Sequence, residues 1–141
     1  MSVRAVIDTN VLIAGKRSQA QRSPNREIQN RWRAAEFLWL YSRDTVGEYA
    51  MKLLELGFPR DEIRSFLSRL IIAGEAIEIV VFHEKHYPTD PDDIAFFLCA
   101  INGNASHLVT YDSDYNPVRG RFDFRVCEPV EFLRDLRTEL N

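Results

Sequence analysis

The stretch Val3-Arg4-Ala5-Val6-Ile7-Asp8-Thr9-Asn10-Val11-Leu12-Ile13 decides how the rest of the chain is read. Val3 to Ile7 has the composition of a short buried strand, and Val11 to Ala14 begins a helix, with no glycine between them. Asp8 then falls at the carboxyl end of a strand, where open α/β sheets place their ligands. An ionised carboxylate between two apolar runs is costly unless something positive or hydrogen-bonding meets it. What meets Asp8 is the question for the remaining sequence.

Working outward, the chain alternates strand-like and helix-like segments. Ser23-Pro24 opens a helix that should run to about Glu36, with Ile28, Trp32 and Ala35 inward. Phe37 to Ser42 reads as a buried strand. Thr45 opens a helix through Leu56 whose apolar side is Tyr49, Ala50, Leu53 and Leu54. After Gly57 and Pro59, a helix from Arg60 to Ala73 presents Ile63, Phe66, Leu67, Leu70 and Ile71, and Gly74 ends it. The β-branched run Ile77-Glu78-Ile79-Val80-Val81-Phe82 predicts a strand. Ile94 to Ile101 is apolar nearly all round and predicts a buried helix. His107 to Thr110 and Phe124 to Cys127 are the last strands, and a helix from Pro129 to about Arg137 closes the chain. The alternation predicts an α/β protein: a three-layer α/β/α sandwich with a central, largely parallel sheet, in a single domain spanning 1–141.

Composition narrows the class without naming an activity. The chain has 141 residues, 45% hydrophobic and 28% charged, which is ordinary for a globular domain. No stretch reaches the roughly 20 apolar residues of a membrane span, and the first residues lack the apolar core of a signal peptide. Cys99 and Cys127 sit in apolar surroundings, as reduced core thiols of a cytoplasmic protein would. The net charge of −3 argues against holding nucleic acid by bulk electrostatics, yet it is compatible with a nuclease whose acids gather at a metal site.

Three further acids share the context of Asp8. Asp112 follows the strand Leu108-Val109-Thr110, Asp93 stands at the mouth of the buried helix, and Glu48 lies in the first turn of another. Strand ends and the starts of the following helices lie on the same rim of a parallel sheet. Four carboxylates there would repel unless divalent cations held them, and all-oxygen sites suit Mg²⁺ or Mn²⁺. Each acid also has a purely structural explanation. Glu48 follows Thr45 by three residues and precedes Lys52 by four, so it fits a capping box or a surface ion pair. Asp90, Asp92 and Asp93 suit a helix N-terminus, and Asp112 and Asp114 suit an Asx-type turn. Asp93 stands apart, because Phe96, Phe97 and Ala100 share its helix face.

Asp8-Thr9-Asn10 after an apolar strand, Glu48-Tyr49 in a helix, Asp90-Pro91-Asp92-Asp93 before an apolar helix, and Val109-Thr110-Tyr111-Asp112-Ser113-Asp114 together resemble a PIN domain. The similarity is to the bacterial and archaeal, VapC-like PIN proteins that are toxins of toxin–antitoxin pairs, and it extends to Cys127-Glu128-Pro129-Val130-Glu131-Phe132-Leu133. The resemblance implies a metal-dependent endoribonuclease using Mg²⁺ or Mn²⁺. It implies an acidic quartet of Asp8, Glu48, Asp93 and Asp112, with Asp114 as an extra ligand and Asn10 and Thr110 as supporting polar groups. In-line attack would leave a 5′-phosphate and a 3′-hydroxyl. The implied partners are an RNA substrate, a small antitoxin and a second copy in a homodimer, with Thr45 to Ala73 as a contact surface.

The chain departs from many such proteins between Lys16 and Arg33, which is longer and carries six bases against one acid, Glu27. Arg17, Arg22 and Arg26 are candidate RNA contacts there, and Trp32 or Trp39 candidate stacking partners for a base. The alternative is a solvated helix face with Trp32 in the core. His83-Glu84-Lys85-His86 does not have zinc-helix spacing, His107 reads as a rim residue, and no glycine-rich phosphate loop occurs. Two other functions compete. One is a PIN-like binding module without catalysis; the other is a phosphotransfer domain with Asp8 as nucleophile, against which Asn10 stands where a second acid would be needed.

Overall fold

Short apolar runs become strands here because each finds a neighbour to share its backbone hydrogen bonds. The computed structural model describes residues 3–17 and 23–140. Its strands are β1 (Arg4–Ile7), β2 (Leu38–Tyr41), β3 (Glu75–Ala76), β4 (His107–Val109) and β5 (Arg125–Cys127). They form one sheet in the order β3-β2-β1-β4-β5, and every neighbouring pair is parallel. The helices are α1 (Thr9–Arg17), α2 (Pro24–Arg33), α3 (Arg43–Glu55), α4 (Arg60–Ala73), α5 (Ile94–Asn102) and α6 (Pro129–Leu140). The α/β/α architecture expected from the alternation is therefore present. The strand order reverses direction between β1 and β4, and such a switch point opens a crevice at the carboxyl ends of the strands.

Helix α5 packs on β1, β2 and β4, α4 on β2 and β3, and α6 on β4. Helices α1 and α2 approach closely because Gly15 has no side chain: a Cβ there would lie 2.3 Å from Gln29 Nε2 and 2.9 Å from the Asn25 carbonyl. The core is strongly aromatic. Trp32, Trp39, Tyr49 and Phe66 meet edge-on or tilted at centroid distances of 4.7 to 6.1 Å, and such pairs add about 0.5–1.5 kcal/mol each beyond area burial. Trp32 is 6% exposed and Trp39 fully buried, so neither ring is presented to a base as expected. They are core residues.

Several sequence expectations are corrected. Ile77 to Phe82 is not a strand: the ladder ends with the Ile77 N–H donating to the Tyr41 carbonyl, and Val80, Val81 and Phe82 are exposed. The Asn102 side chain takes over that backbone, accepting from the N–H groups of Val80 and Val81 and donating to the Val81 carbonyl. Helix α3 starts two residues before Thr45, with Ser42 and Thr45 forming the reciprocal cap. Glu48 is therefore in the second turn, not the first, and takes no part in a capping box. Leu54 and Ile71 face outward rather than into the core, at 52% and 57% exposure. His107 is buried rather than at a rim, its ring nitrogens 2.8 Å from Ser106 Oγ and 2.9 Å from Asp135. Among the described residues, no helix is long and apolar enough to cross a membrane.

Candidate metal centre

The site grows from the ends of the two central strands. Asp8 is the first residue past β1. Its N–H still donates to Val109 across the ladder, while its carbonyl accepts from Val11 and Leu12 in the first turn of α1. Behind it, the buried Tyr49 hydroxyl donates to the Ile7 carbonyl and accepts from Trp39 Nε1 at 3.3 Å. This braces the strand end from which Asp8 projects. The Asp8 carboxylate accepts from the Thr9 N–H at 2.8 Å and from the Thr110 hydroxyl at 2.7 Å. Thr110 Oγ1 in turn accepts from the Asp112 N–H at 2.9 Å. One hydroxyl thus couples the chain just past β1 to the chain just past β4.

Asp93 arrives from the other direction. Asp90 closes a 3-10 turn, Pro91–Asp93, by accepting from the Asp92 N–H at 3.0 Å, and this turn leads directly into α5. Asp93 is 6% exposed, and its Oδ2 is buried without a hydrogen-bond partner. Asp112 begins a second 3-10 turn, Ser113–Val118, by accepting from the Asp114 N–H at 2.9 Å. One oxygen from each of Asp90, Asp93, Asp112 and Asp114 lies within 4.8 Å of the others. Asp8, Glu48, Asp93 and Asp112 all line one cavity of about 480 Å³, together with Asp90 and Asp92. All four acids of the expected quartet line this cavity, but only Asp93 and Asp112 belong to the tight cluster, whose other members are Asp90 and Asp114.

Burial and mutual repulsion raise the carboxyls of the site. Burial pushes the Asp8 carboxyl up to about 6, against the hydrogen bonds from Thr110 and Thr9, with Asp112 and Glu48 adding repulsion. Asp93 is pushed up to about 8, first by burial and then by the charge of Asp8 and its contact with Asp112. Burial also raises Glu48, partly offset by Lys52, and raises Asp114 with help from Asp112. The buried Tyr115 hydroxyl, 3.5 Å from the Asp93 carbonyl, lies well above its ordinary range through burial and the charges of Asp8, Asp93 and Asp112. A divalent cation would reverse the cost of ionising such a group of acids. The unpartnered Asp93 oxygen and the purely carboxylate donor set fit a hard ion such as Mg²⁺ or Mn²⁺.

The other candidate residues divide. Asn10 lines the cavity and accepts from the Tyr111 N–H at 3.4 Å. Arg17 reaches the same cavity, as does Lys52, which also pairs with Glu55 at 3.6 Å. Arg26 instead lines a separate cavity of about 150 Å³ with Lys16, Gln29 and Arg33. Arg22 lies outside the described residues. Asp90 was read from sequence only as a helix-start acid; its place in the tight acidic cluster depends on the fold of the loop around it. Buried Cys99 and Cys127 are both pushed up to about 12, mainly by burial, so neither offers a thiolate near neutrality.

The family model for the PIN domain matches residues 4–114. Among solved structures, VapBC2 from Rickettsia felis bound to a DNA fragment from their promoter superposes with a TM-score of 0.58 at 12% identity, covering 88% of this chain and 97% of that one. VapC20 of Mycobacterium tuberculosis, described as a sarcin–ricin loop cleaving toxin, gives 0.56 at 14%, covering 86% and 98%. Identities this low speak for the fold alone. No curated protein sequence matches the chain.

Proposed function

The chain belongs to the PIN-domain family, and from that premise we propose that it is an endoribonuclease dependent on Mg²⁺ or Mn²⁺ and the toxin of a toxin–antitoxin pair. The observation that carries the reading is Asp93: a nearly buried carboxylate with an orphaned oxygen, among three other carboxylates within 4.8 Å and beside Asp8. Stability alone gives no reason to gather acids this way, since an unpaired buried charge is destabilising. A bound divalent ion would supply the activation of water and the neutralisation of the leaving 3′-oxygen.

The residues of the chain have separate tasks in this reading. Asp93 and Asp112 would hold the ion, with Asp8, Glu48 and Asp114 completing the donor set and Asp90 available beside them. Thr110 fixes one Asp8 oxygen through its hydroxyl while accepting from the Asp112 backbone N–H, so it would hold the Asp8 carboxylate in place relative to the Asp112 loop. Asn10 adds a neutral polar group at the wall, and among the described residues Arg17 and Lys52 are the cationic side chains lining the cavity, where the phosphate's remaining charge would lie. Among the described residues no histidine lines it, and proton removal from the attacking water would fall to the carboxylates. The products would be a 5′-phosphate and a 3′-hydroxyl.

Partners follow from the same reading. A short antitoxin would restrain the enzyme in the cytoplasm. The exposed Met51, Leu54, Ile71 and Ile72 on α3 and α4 support a contact face for a homodimer. The test is cleavage of structured and unstructured RNA with Mn²⁺, Mg²⁺ or EDTA. Cleavage should need the ion and should vanish in Asp8→Asn and Asp93→Asn; cutting that survives EDTA or both substitutions would overturn the metal-centred mechanism. A short open reading frame immediately upstream would support the toxin assignment.

A further inference from the structure

Helix α1 forms part of the wall of two clefts of opposite charge. Ile13, Ala14 and Arg17 line the acidic cavity. Gly15 and Lys16 of the same helix line a cleft of about 150 Å³, which shares Lys16, Gln29, Arg33 and Glu62 with an adjoining one of about 160 Å³. Arg26 lines the first and Arg69 of α4 the second. Among the described residues, four basic side chains and one acid, Glu62, therefore line the pair. The Lys16 side chain is only 9% exposed, with its ammonium 4.8 Å from the centre of the Phe66 ring and 3.9 Å from Glu62, beyond hydrogen-bond distance. Burial pushes this ammonium below its ordinary range; Glu62 opposes the push and Arg33 adds to it. Among the described residues, neither Arg33 nor Arg69 has an acid within ion-pair distance. A cation drawn this far out of water is costly unless anions meet it, and Glu62, itself 46% exposed, is a single distant partner.

Guanidinium forks around a partly buried ammonium suit a compact oxyanion, and phosphate is the anion that RNA repeats along its backbone. The separation also suits one strand spanning both clefts. From Asp8 to Lys16 the chain runs along α1 at about 1.5 Å per residue, a distance of about 12 Å. We propose that the cleft between α1, α2 and α4 is a phosphate subsite, in which Lys16, Arg33 and Arg69 hold a backbone phosphate of the RNA a few linkages from the one that is cut. The inference rests on the ribonuclease reading and adds to it an anchor for the strand outside the acidic cavity.

Single-stranded RNAs with one uncharged methylphosphonate linkage, placed in turn at each position except the scissile one, test this. They are cut with Mn²⁺ by wild type, by the double variant Arg33→Gln/Arg69→Gln and by Arg60→Gln/Arg64→Gln. All four arginines are exposed, so the fold should tolerate both changes. The second variant removes the same charge from α4, but at residues that line the groove between α3 and α4. Neutralising one particular linkage should cost wild type about tenfold in kcat/KM, the scale of one charged hydrogen-bonded contact. Arg33→Gln/Arg69→Gln should lose about as much on unmodified RNA, and no more when that linkage is neutral. Arg60→Gln/Arg64→Gln should stay within about threefold of wild type and keep its sensitivity to that linkage. Losses that multiply, or an equal loss in both variants, would overturn the subsite, the latter by showing only diffuse attraction to positive charge. Unchanged cleavage in Arg33→Gln/Arg69→Gln would overturn it too, leaving the cleft to another anion such as an acidic peptide. If wild type cuts no RNA with either ion, the ribonuclease reading falls and the subsite with it; cleavage without the shared linkage removes the subsite alone.

Discussion

The two ends of the sheet treat carboxylates in opposite ways. At the amino ends of the strands Glu75 and Asp135 are paired with basic side chains. Arg4, the first residue of β1, reaches both oxygens of Glu75 at the start of β3, at 3.1 and 2.6 Å. Asp135 on α6 receives Arg125 from the start of β5 at 2.6 Å and His107 from the start of β4 at 2.9 Å. The Arg4 guanidinium holds Glu75 below its ordinary range, and on Asp135 the bonds from His107 and Arg125 outweigh the upward push of burial. At the carboxyl ends the pattern is inverted: Asp8 and Asp93 are more buried than Glu75 or Asp135, face other acids and are pushed up. Acids that serve the fold come with a partner. The acids at the carboxyl ends face one another instead.

The largest expected difference is in ion binding. Asp93→Asn should weaken Mn²⁺ binding at least about a hundredfold by calorimetry, since it removes a charged donor from the centre of the cluster. Asp135→Asn should leave that affinity unchanged, and an equal loss in both would erase the distinction between the two ends.

The pH dependence should carry opposite signs at the two ends. Asp93 and Asp8 bind protons more tightly folded than unfolded, so their contribution is fully present below the unfolded value near 3.8 and is lost as pH rises toward about 8 and about 6. In EDTA, wild type should lose more thermal stability than Asp93→Asn between pH 5 and pH 8, and Mg²⁺ should restore more at pH 8 than at pH 5. Asp135 works the other way: its folded value is depressed, so its contribution is present at neutral pH and lost only as acid protonates it. A melting curve for Asp93→Asn as steep in pH as wild type would count against the unpaired character of the site.

A smaller effect belongs to Thr110→Val, which keeps the shape but removes the hydroxyl shared by Asp8 and the Asp112 N–H. Urea denaturation should show a loss of about 1–3 kcal/mol from the groups left unsatisfied, with weakened ion binding. Smallest is Glu75→Gln. The pair is partly exposed, so a change of under about 1 kcal/mol is expected, with no effect on ion binding.

Much of this is legible in the sequence. Val3 to Ile7 is followed directly by Asp8, and His107 to Thr110 by Tyr111 and Asp112, and parallel strands separated by helices bring such ends to one rim, so Asp8 and Asp112 could be placed together. Asp93 is conspicuous in the sequence because, although it also suits a helix N-terminus, it shares a helix face with Phe96 and Phe97. Other features were not legible because they depend on partners distant in the chain. Ile77 to Phe82 has every local mark of a strand, yet its backbone bonds are claimed by Asn102, some twenty residues on. Thr45 with Glu48 matched a capping pattern, but Ser42 was the better oxygen and moved the helix start. The tryptophans were indistinguishable by sequence from surface stacking residues until packing buried them.

The sequence by itself determined the alternation of strands and helices, the parallel class and the identity of the acids, because periodicity and charge within an apolar run are local properties. Tertiary structure alone decided that β1 and β4 are adjacent, that Asp90 and Asp114 join Asp93 and Asp112 in one cluster, and that Trp32 and Trp39 are core residues. Those outcomes turn on which distant groups satisfy each buried or exposed surface, and that competition is settled only when the whole chain packs.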